Sequence, residues 1–323
     1  MKKILFFVMT ASLSVAVYFL FINSITPENV EKQYESESAK NMAVYSPVLP
    51  SNLNFSGEII PIHNYDVKES LDNEMLANTF WHSQMIRFLK RANRYFPIIE
   101  PILKKNNIPD DFKYLAVAES ALTNVVSPAK ATGFWQILNK TGKEFGLVIN
   151  KEVDERYDLE KSTQAACNYL NQSYKKFGNW TLVAASYNMG MGGLSRSLKK
   201  QEVNNYYDLL LNSETARYVY RIVAIKTIME HPEAYGYNIR KKDLYPTIPV
   251  EKIRVDSTIT DLTAWSFKQG VNYKILKNLN PWLRKPYLTN SEKRIYQIRI
   301  PVKGFREFTN PVLESDSIIK ELN

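Results

Sequence analysis

The chain of 323 residues has few of the side chains on which several protein classes depend. Its one cysteine, Cys167, excludes an intramolecular disulfide framework, a multi-cysteine zinc site and an iron–sulfur cluster. Its three histidines, His63, His82 and His231, are not spaced as paired metal ligands on one helix or strand. We therefore expect neither a metal nor a cofactor, and we interpret Cys167 as a core residue.

The N-terminus lacks charge over a long stretch. Lys2 and Lys3 precede residues 4–22, an uncharged and mainly apolar run. As a helix this run would span about 28 Å, close to the thickness of about 30 Å of a bilayer core. We predict an uncleaved inner-membrane anchor, with the two lysines in the cytoplasm and the rest exported to the periplasm. A cleaved signal peptide is the alternative, although its apolar region is usually shorter. Residues 25–53 are polar and predict a linker.

Positive charge exceeds negative charge, and the excess is uneven. The net charge is +9, and residues 241–310 contain 14 Lys plus Arg against 6 Asp plus Glu. Such a balance favours an anionic partner. We do not expect nucleic acid, because the chain is predicted to be exported and no recognised nucleic-acid motif is present.

One acidic residue occupies a position where an apolar residue is expected. Pro109 begins a predicted helix whose apolar face is Phe112, Leu115 and Ala116, and the next residue on that face is Glu119. Three interpretations of such a carboxyl group are open. It forms an ion pair with a buried base, it is exposed at the frayed end of the helix, or its pKa is raised by apolar surroundings.

Helical spacing continues from about residue 70 to residue 236. Four further helices are predicted: from Asn78 to an interruption at Pro97, from an N-cap at Ser162 to Gly178, from 180 to 188, and from Ser213 to Pro232.

Four motifs follow one another in this region. They are Ala-Glu-Ser-Ala at 118–121, Ser-Pro-Ala-Lys-Ala-Thr-Gly-Phe-Trp-Gln at 127–136, Ala-Ser-Tyr-Asn-Met-Gly at 185–190, and Glu-Thr-Ala-Arg-Tyr-Val at 214–219. In this order they resemble the lysozyme-like lytic transglycosylases of bacterial cell walls, and within them the membrane-bound murein transglycosylase D group. The resemblance covers roughly residues 54–236.

The resemblance implies a mainly α, lysozyme-like catalytic domain of the goose-type or SLT kind at 54–236. It implies that Glu119 is the single catalytic acid, cleaving the β-1,4 bond between N-acetylmuramic acid and N-acetylglucosamine in peptidoglycan with a 1,6-anhydro product. The enzyme is expected to be a monomer that acts on glycan strands. The substrate-binding residues implied are Ser127 and Gln136 beside the acid, Tyr187 and Asn188 near its carboxyl group, and Glu214 and Tyr218 at the far wall of the groove.

Two other functions stay open. A two-carboxylate glycosidase needs a second acid about 5 to 9.5 Å from the first, and no Asp or Glu lies between Glu119 and Glu144. A muramidase that uses water is still an alternative, as is a non-catalytic, membrane-tethered peptidoglycan-binding protein.

The basic C-terminal part predicts a second module at 245–303, followed by a tail at 304–323. Strands are predicted at 253–259 and 296–301, and helices at 262–270 and 273–279. This βααβ order resembles the glycan-binding LysM module. The module either binds glycan or serves as a brace on the catalytic domain.

Overall fold

The computed structural model describes residues 44–306, together with Tyr18 and Lys32. The predicted anchor at 4–22 lies outside these residues apart from Tyr18, as do much of the predicted linker and most of the tail. Across the described part of the chain, no helix is both long and apolar enough to cross a membrane.

The first part of the fold is a short hairpin followed by a body of helices. In the hairpin, β1 (Asn54–Phe55) pairs antiparallel with β2 (Glu58–Ile59). The helices are α1 (Tyr65–Thr79), α2 (His82–Lys105), α3 (Phe112–Ser120), α4 (Asn139–Glu144), α5 (Leu159–Phe177), α6 (Trp180–Met189), α7 (Met191–Gln201) and α8 (Ser213–Glu230).

Helix α8 lies at the centre of this body. It packs against α1, α3 and α6, and Val219, Ile222, Val223 and Ile228 on it are buried. The Asn212 side chain accepts a hydrogen bond from a first-turn amide and so fixes where the helix begins. Because α8 also carries two predicted site residues, its packing fixes their positions relative to α3.

Proline does not end α2, which corrects our expectation of an interruption at Pro97. The helix continues through Pro97 and Pro101 to Lys105. Each proline removes one backbone hydrogen bond, but Ile99 and Leu103 beyond Pro97 are buried in the core. Their burial holds the helix together across the missing bonds.

One helix start and one whole helix also differ from expectation. Helix α5 begins at Leu159, because Asp158 rather than Ser162 accepts the capping hydrogen bond, from the Lys161 amide. Helix α7 was not predicted; Gly190, with φ of 80°, separates it from α6.

The second part of the fold is the expected βααβ module. It consists of β3 (Val250–Val255), α9 (Leu262–Lys268), α10 (Tyr273–Leu279) and β4 (Tyr296–Pro301). Strands β3 and β4 pair antiparallel, from Val250 opposite Pro301 to Val255 opposite Tyr296. The prediction of a mainly α fold with this module is confirmed, although β3 starts earlier than 253 and ends before 259.

Candidate active site

Helix α3 ends immediately after Glu119 in an unusual backbone conformation. Ala121 and Leu122 both have positive φ, 57° and 54°. The Ala121 amide still donates to the Val117 carbonyl, and the Arg91 guanidinium donates to the Ala121 carbonyl at 3.0 Å. Consecutive left-handed residues without glycine are strained and persist where the surroundings hold them. The helix end that carries Glu119 is therefore fixed by the core on one side and by Arg91 on the other.

The loop at 127–137 is held beside this helix end. The Ser120 hydroxyl donates to the Phe134 carbonyl at 2.8 Å, and Ser127 and Ala131 pair through their backbones. Gly133 has φ of 85°, and a Cβ there would lie 2.1 Å from a backbone oxygen of the neighbouring segment. Only glycine fits at that point, so the motif at 127–136 is placed against Glu119 by its own sequence.

A cleft of about 720 Å³ opens between this loop and helices α5, α6 and α8. Its lining combines polar groups with aromatic and small apolar side chains, which suits a carbohydrate ligand. Six of the seven predicted site residues border it: Glu119, Ser127, Gln136, Tyr187, Asn188 and Glu214.

Glu119 is part-buried at the wall of the cleft. Burial raises the pKa of its carboxyl to about 7; a hydrogen bond donated by the Tyr218 hydroxyl acts in the opposite direction, and the nearby Glu214 charge adds to the rise. At neutral pH a large share of this carboxyl therefore carries a proton. Such a group can act as a general acid and, once ionised, as a base.

Gln136 and Ser127 each use part of their hydrogen-bonding capacity within the loop. Gln136 Nε2 donates to the carbonyls of Gly133 and Val125 at 2.8 and 3.0 Å, which leaves Oε1 as an acceptor for a ligand. The Ser127 Oγ accepts from the Ala131 amide at 3.0 Å, which leaves its hydroxyl hydrogen to donate. The two side chains thus offer the cleft one acceptor and one donor.

Tyr187 and Asn188 connect α6 to the other walls of the cleft. The Tyr187 hydroxyl donates to the Trp135 carbonyl at 2.7 Å, so it supports the loop rather than reaching Glu119. The Asn188 Oδ1 accepts from the Thr215 hydroxyl on α8, also at 2.7 Å. The Nδ2 amide group of Asn188 stays available to a ligand.

The two residues expected at the far wall have different environments. The Glu214 side chain is 60% exposed at the cleft and pairs with Arg221 at 3.0 Å. Tyr218 lies one turn further along α8, is 2% exposed and stands behind Glu119, to which its hydroxyl donates. Burial and the nearby Glu119 charge raise the Tyr218 pKa well above its ordinary value. Tyr218 is therefore placed to act on the acid and not on a ligand at the far wall.

Tyr169 is a cleft residue that is not among the predicted site residues. Its ring lies edge-on to Tyr187 at 5.3 Å, and its hydroxyl donates to the Ser186 carbonyl at 2.7 Å. The signal in the sequence is the small pair Ala165 and Ala166 one turn earlier, which opens space beside an aromatic ring. In the described ranges, no group of three or more His, Cys, Asp or Glu side chains could hold a metal ion.

The domain class follows from comparison with known families. Residues 96–210 match the transglycosylase SLT domain, and residues 251–304 match the soluble lytic transglycosylase C-terminal LysM-like domain. The chain thus contains an SLT transglycosylase domain followed by a LysM-like domain, and the resemblance inferred from the four motifs is confirmed.

Curated relatives are similar to this chain in sequence. The chain is 32% identical over 205 residues to membrane-bound lytic murein transglycosylase D of Escherichia coli K12, and equally to that of strain O6:H1, covering 59% of this chain and 44% of each relative. It therefore spans less than half the length of these curated relatives. A solved structure, the 70 kDa soluble lytic transglycosylase SLT70 of E. coli, is similar at a TM-score of 0.38 and 22% identity, over 47% of this chain and 27% of that one.

Proposed function

We propose that this chain is a peptidoglycan lytic transglycosylase. It cleaves the β-1,4 bond between N-acetylmuramic acid and N-acetylglucosamine and releases a 1,6-anhydro-muramyl end. The observation that carries the proposal is Glu119, a carboxyl whose pKa is raised to about 7 at the wall of a cleft within an SLT domain.

In this reaction Glu119 acts first as an acid and then as a base. Its carboxyl proton passes to the glycosidic oxygen, the bond from that oxygen to the anomeric carbon breaks, and the N-acetylglucosamine end leaves as an alcohol. The 6-hydroxyl of the muramic acid then bonds to the same carbon, and its proton returns to Glu119. Atoms balance without water, and the acid is restored for the next cycle.

The other cleft residues bind and orient the sugar. We assign to Ser127 a hydrogen bond donated to a sugar oxygen and to Gln136 one accepted from a hydroxyl or acetamido N–H, because these are the capacities that the loop leaves free. Asn188 supplies a donor from the opposite wall. Tyr187 supports the loop, and Tyr218 holds the Glu119 carboxyl in place while keeping part of it ionised.

The cellular setting follows from the N-terminal run. We propose that residues 4–22 anchor the chain in the inner membrane, so that the cleft meets peptidoglycan glycan strands in the periplasm, with the chain acting as a monomer.

The experiment is digestion of purified peptidoglycan by the full chain in H₂¹⁸O, followed by mass spectrometry of the released muropeptides. Anhydro products without ¹⁸O are expected. Glu119→Gln is expected to lower the rate by about 10²- to 10⁴-fold. The matched control is Glu214→Gln, which removes the other carboxyl of the cleft and leaves the acid in place.

Each alternative predicts a different result. Products that carry ¹⁸O, with activity lost in both variants, would identify a muramidase that uses two carboxylates and water. Sedimentation of the chain with peptidoglycan without any released product would identify a wall-binding protein.

A further inference from the structure

We propose that the C-terminal module is a brace for the substrate loop at 127–137, and that Arg156 carries the support from one to the other. The inference rests on the proposed function insofar as it concerns catalysis, but its structural readout is independent of activity. The element between module and loop is the stretch 148–158, called here the connecting segment.

The connecting segment is built into the module on one side. Val153 is 1% exposed and belongs to the apolar core of the module. It forms an antiparallel bridge with Leu283, and the Asp154 amide donates to the Trp282 carbonyl at 2.9 Å. The module core is thus completed by a residue that comes from the helical body.

A charged contact reinforces this attachment. Arg299 on β4 donates to both carboxylate oxygens of Asp158, at 2.7 and 3.1 Å, and approaches Glu160 at 3.3 Å. The side chains are shielded, with 15% exposure for Arg299 and 5% for Asp158. A bidentate pair of this kind is strong and directional. Asp158 is also the N-cap of α5, which contributes to the cleft wall.

The other side of the connecting segment supports the loop. The buried Arg156 guanidinium is fixed by Asp154 at 2.7 and 2.9 Å. Its Nη1 donates to the carbonyls of Lys130 and Ile137 at 3.1 and 3.2 Å. One nitrogen therefore closes the loop at two points seven residues apart in sequence, while Gly133 packs directly on the Arg156 carbonyl.

These contacts form a continuous path. Asp154 bonds to the module through its amide and to Arg156 through its carboxylate, and Arg156 holds the loop that carries Gln136. Because a ligand-binding group must be held within a fraction of an ångström, loosening the module is expected to loosen the loop. Arg156 is a positioning residue in this scheme and makes no contact with the sugar.

The test compares two arginines on adjacent strands. Arg299→Leu removes the charged contact with Asp158 and so weakens the attachment, whereas Arg254→Leu on β3 removes the same charge from an exposed side chain. In hydrogen exchange of the full chain, amides at 127–137 should exchange about fivefold faster or more in Arg299→Leu and at the wild-type rate in Arg254→Leu. Unchanged exchange in α8 of both variants confirms that the helical body is folded.

Activity and binding provide the second readout. In Arg299→Leu, kcat on peptidoglycan should fall while sedimentation with peptidoglycan stays at the wild-type level. Wild-type exchange in the loop with reduced sedimentation would overturn the brace and assign glycan binding to the module. Suppose that Arg299→Leu exchanges faster in the loop but the wild-type chain releases no product from peptidoglycan. That result would support the brace and refute the proposed transglycosylase activity.

A second pair of variants keeps the inference testable if Arg299→Leu does not fold. Arg299→Lys keeps the charge and loses the bidentate geometry, so an intermediate exchange rate is expected. Arg156→Lys should accelerate exchange at 127–137 directly. When Arg156→Lys is combined with either change at Arg299, the effects should be less than additive, because both act along one path; additive effects would refute it.

Discussion

Replacing Glu119 by glutamine is expected to stabilise the folded chain at neutral and alkaline pH while lowering its rate by about 10²- to 10⁴-fold. The reason is that the native fold holds this carboxyl where its charge is poorly solvated. Burial raises its pKa from an ordinary 4.5 to about 7, against the opposing hydrogen bond from Tyr218. Glutamine has the same shape, can accept that hydrogen bond through Oε1, and carries no charge.

The size of the effect follows from proton linkage. Below pH 4.5 the carboxyl is protonated in both the folded and the unfolded chain, so it contributes no penalty. Between pH 4.5 and 7 the folded chain keeps a proton that the unfolded chain releases, and the free energy of unfolding falls as pH rises. Above pH 7 the full difference is reached, about 3.5 kcal/mol for a pKa that moves from 4.5 to about 7, since each tenfold change in proton affinity corresponds to about 1.4 kcal/mol.

The measurement is urea denaturation of wild type and Glu119→Gln at pH 4 and at pH 8. The variant should be more stable by about 3.5 kcal/mol at pH 8 and should match wild type at pH 4. Glu214→Gln removes the other cleft carboxylate, which is largely exposed and contributes less than burial to the Glu119 pKa, so it should change the stability at pH 8 far less than Glu119→Gln does. Equal stability of wild type and Glu119→Gln at pH 8, or a difference that does not vary with pH, would refute the raised pKa.

Three further predictions concern the support of the site. Tyr218→Phe removes the hydrogen bond that lowers the Glu119 pKa, so the alkaline limb of the pH–rate profile should move upward by about one unit; a limb that stays or moves downward would contradict this. Gly133→Ala should destabilise the chain by about 2 kcal/mol or more in thermal unfolding, because the new Cβ meets the Arg156 carbonyl at 2.1 Å. Glu58→Ala should lower the free energy of unfolding by about 1 to 3 kcal/mol, measured by urea denaturation. The reason is that the Glu58 carboxylate accepts hydrogen bonds from two backbone amides and one hydroxyl at the start of α6. An unchanged urea midpoint would show that water replaces the carboxylate.

The apolar pattern of one helix was sufficient to predict the position of Glu119. Phe112, Leu115 and Ala116 are buried, and Glu119 follows them onto the same face and into the cleft. The order of strands and helices in the module was also predictable, since each element is short and is bounded by turn residues. In both cases the information lies within one or two turns of chain.

Contacts between distant residues were not predictable from pattern. Tyr218 reaches Glu119 across 99 residues, and Arg156 reaches Lys130 across 26. Nothing in the periodicity of α8 distinguishes Tyr218 from an ordinary core aromatic. The continuation of α2 past Pro97 likewise depends on burial of residues beyond the proline, because local propensity alone favours a break.

The pairing of Arg299 with Asp158 has a consequence for the order in which the protein is made. The two residues are 141 positions apart, so every residue that borders the cleft is translated before β4 exists. Until then Asp158 lacks its counter-ion Arg299, and Val153 has only the apolar partners that precede β4, such as Leu283. A chain interrupted between residues 214 and 299 would carry all the cleft side chains and still lack the Arg299–Asp158 contact that we propose supports the loop at 127–137. Completion of the site would then depend on a strand that is made long after the cleft residues.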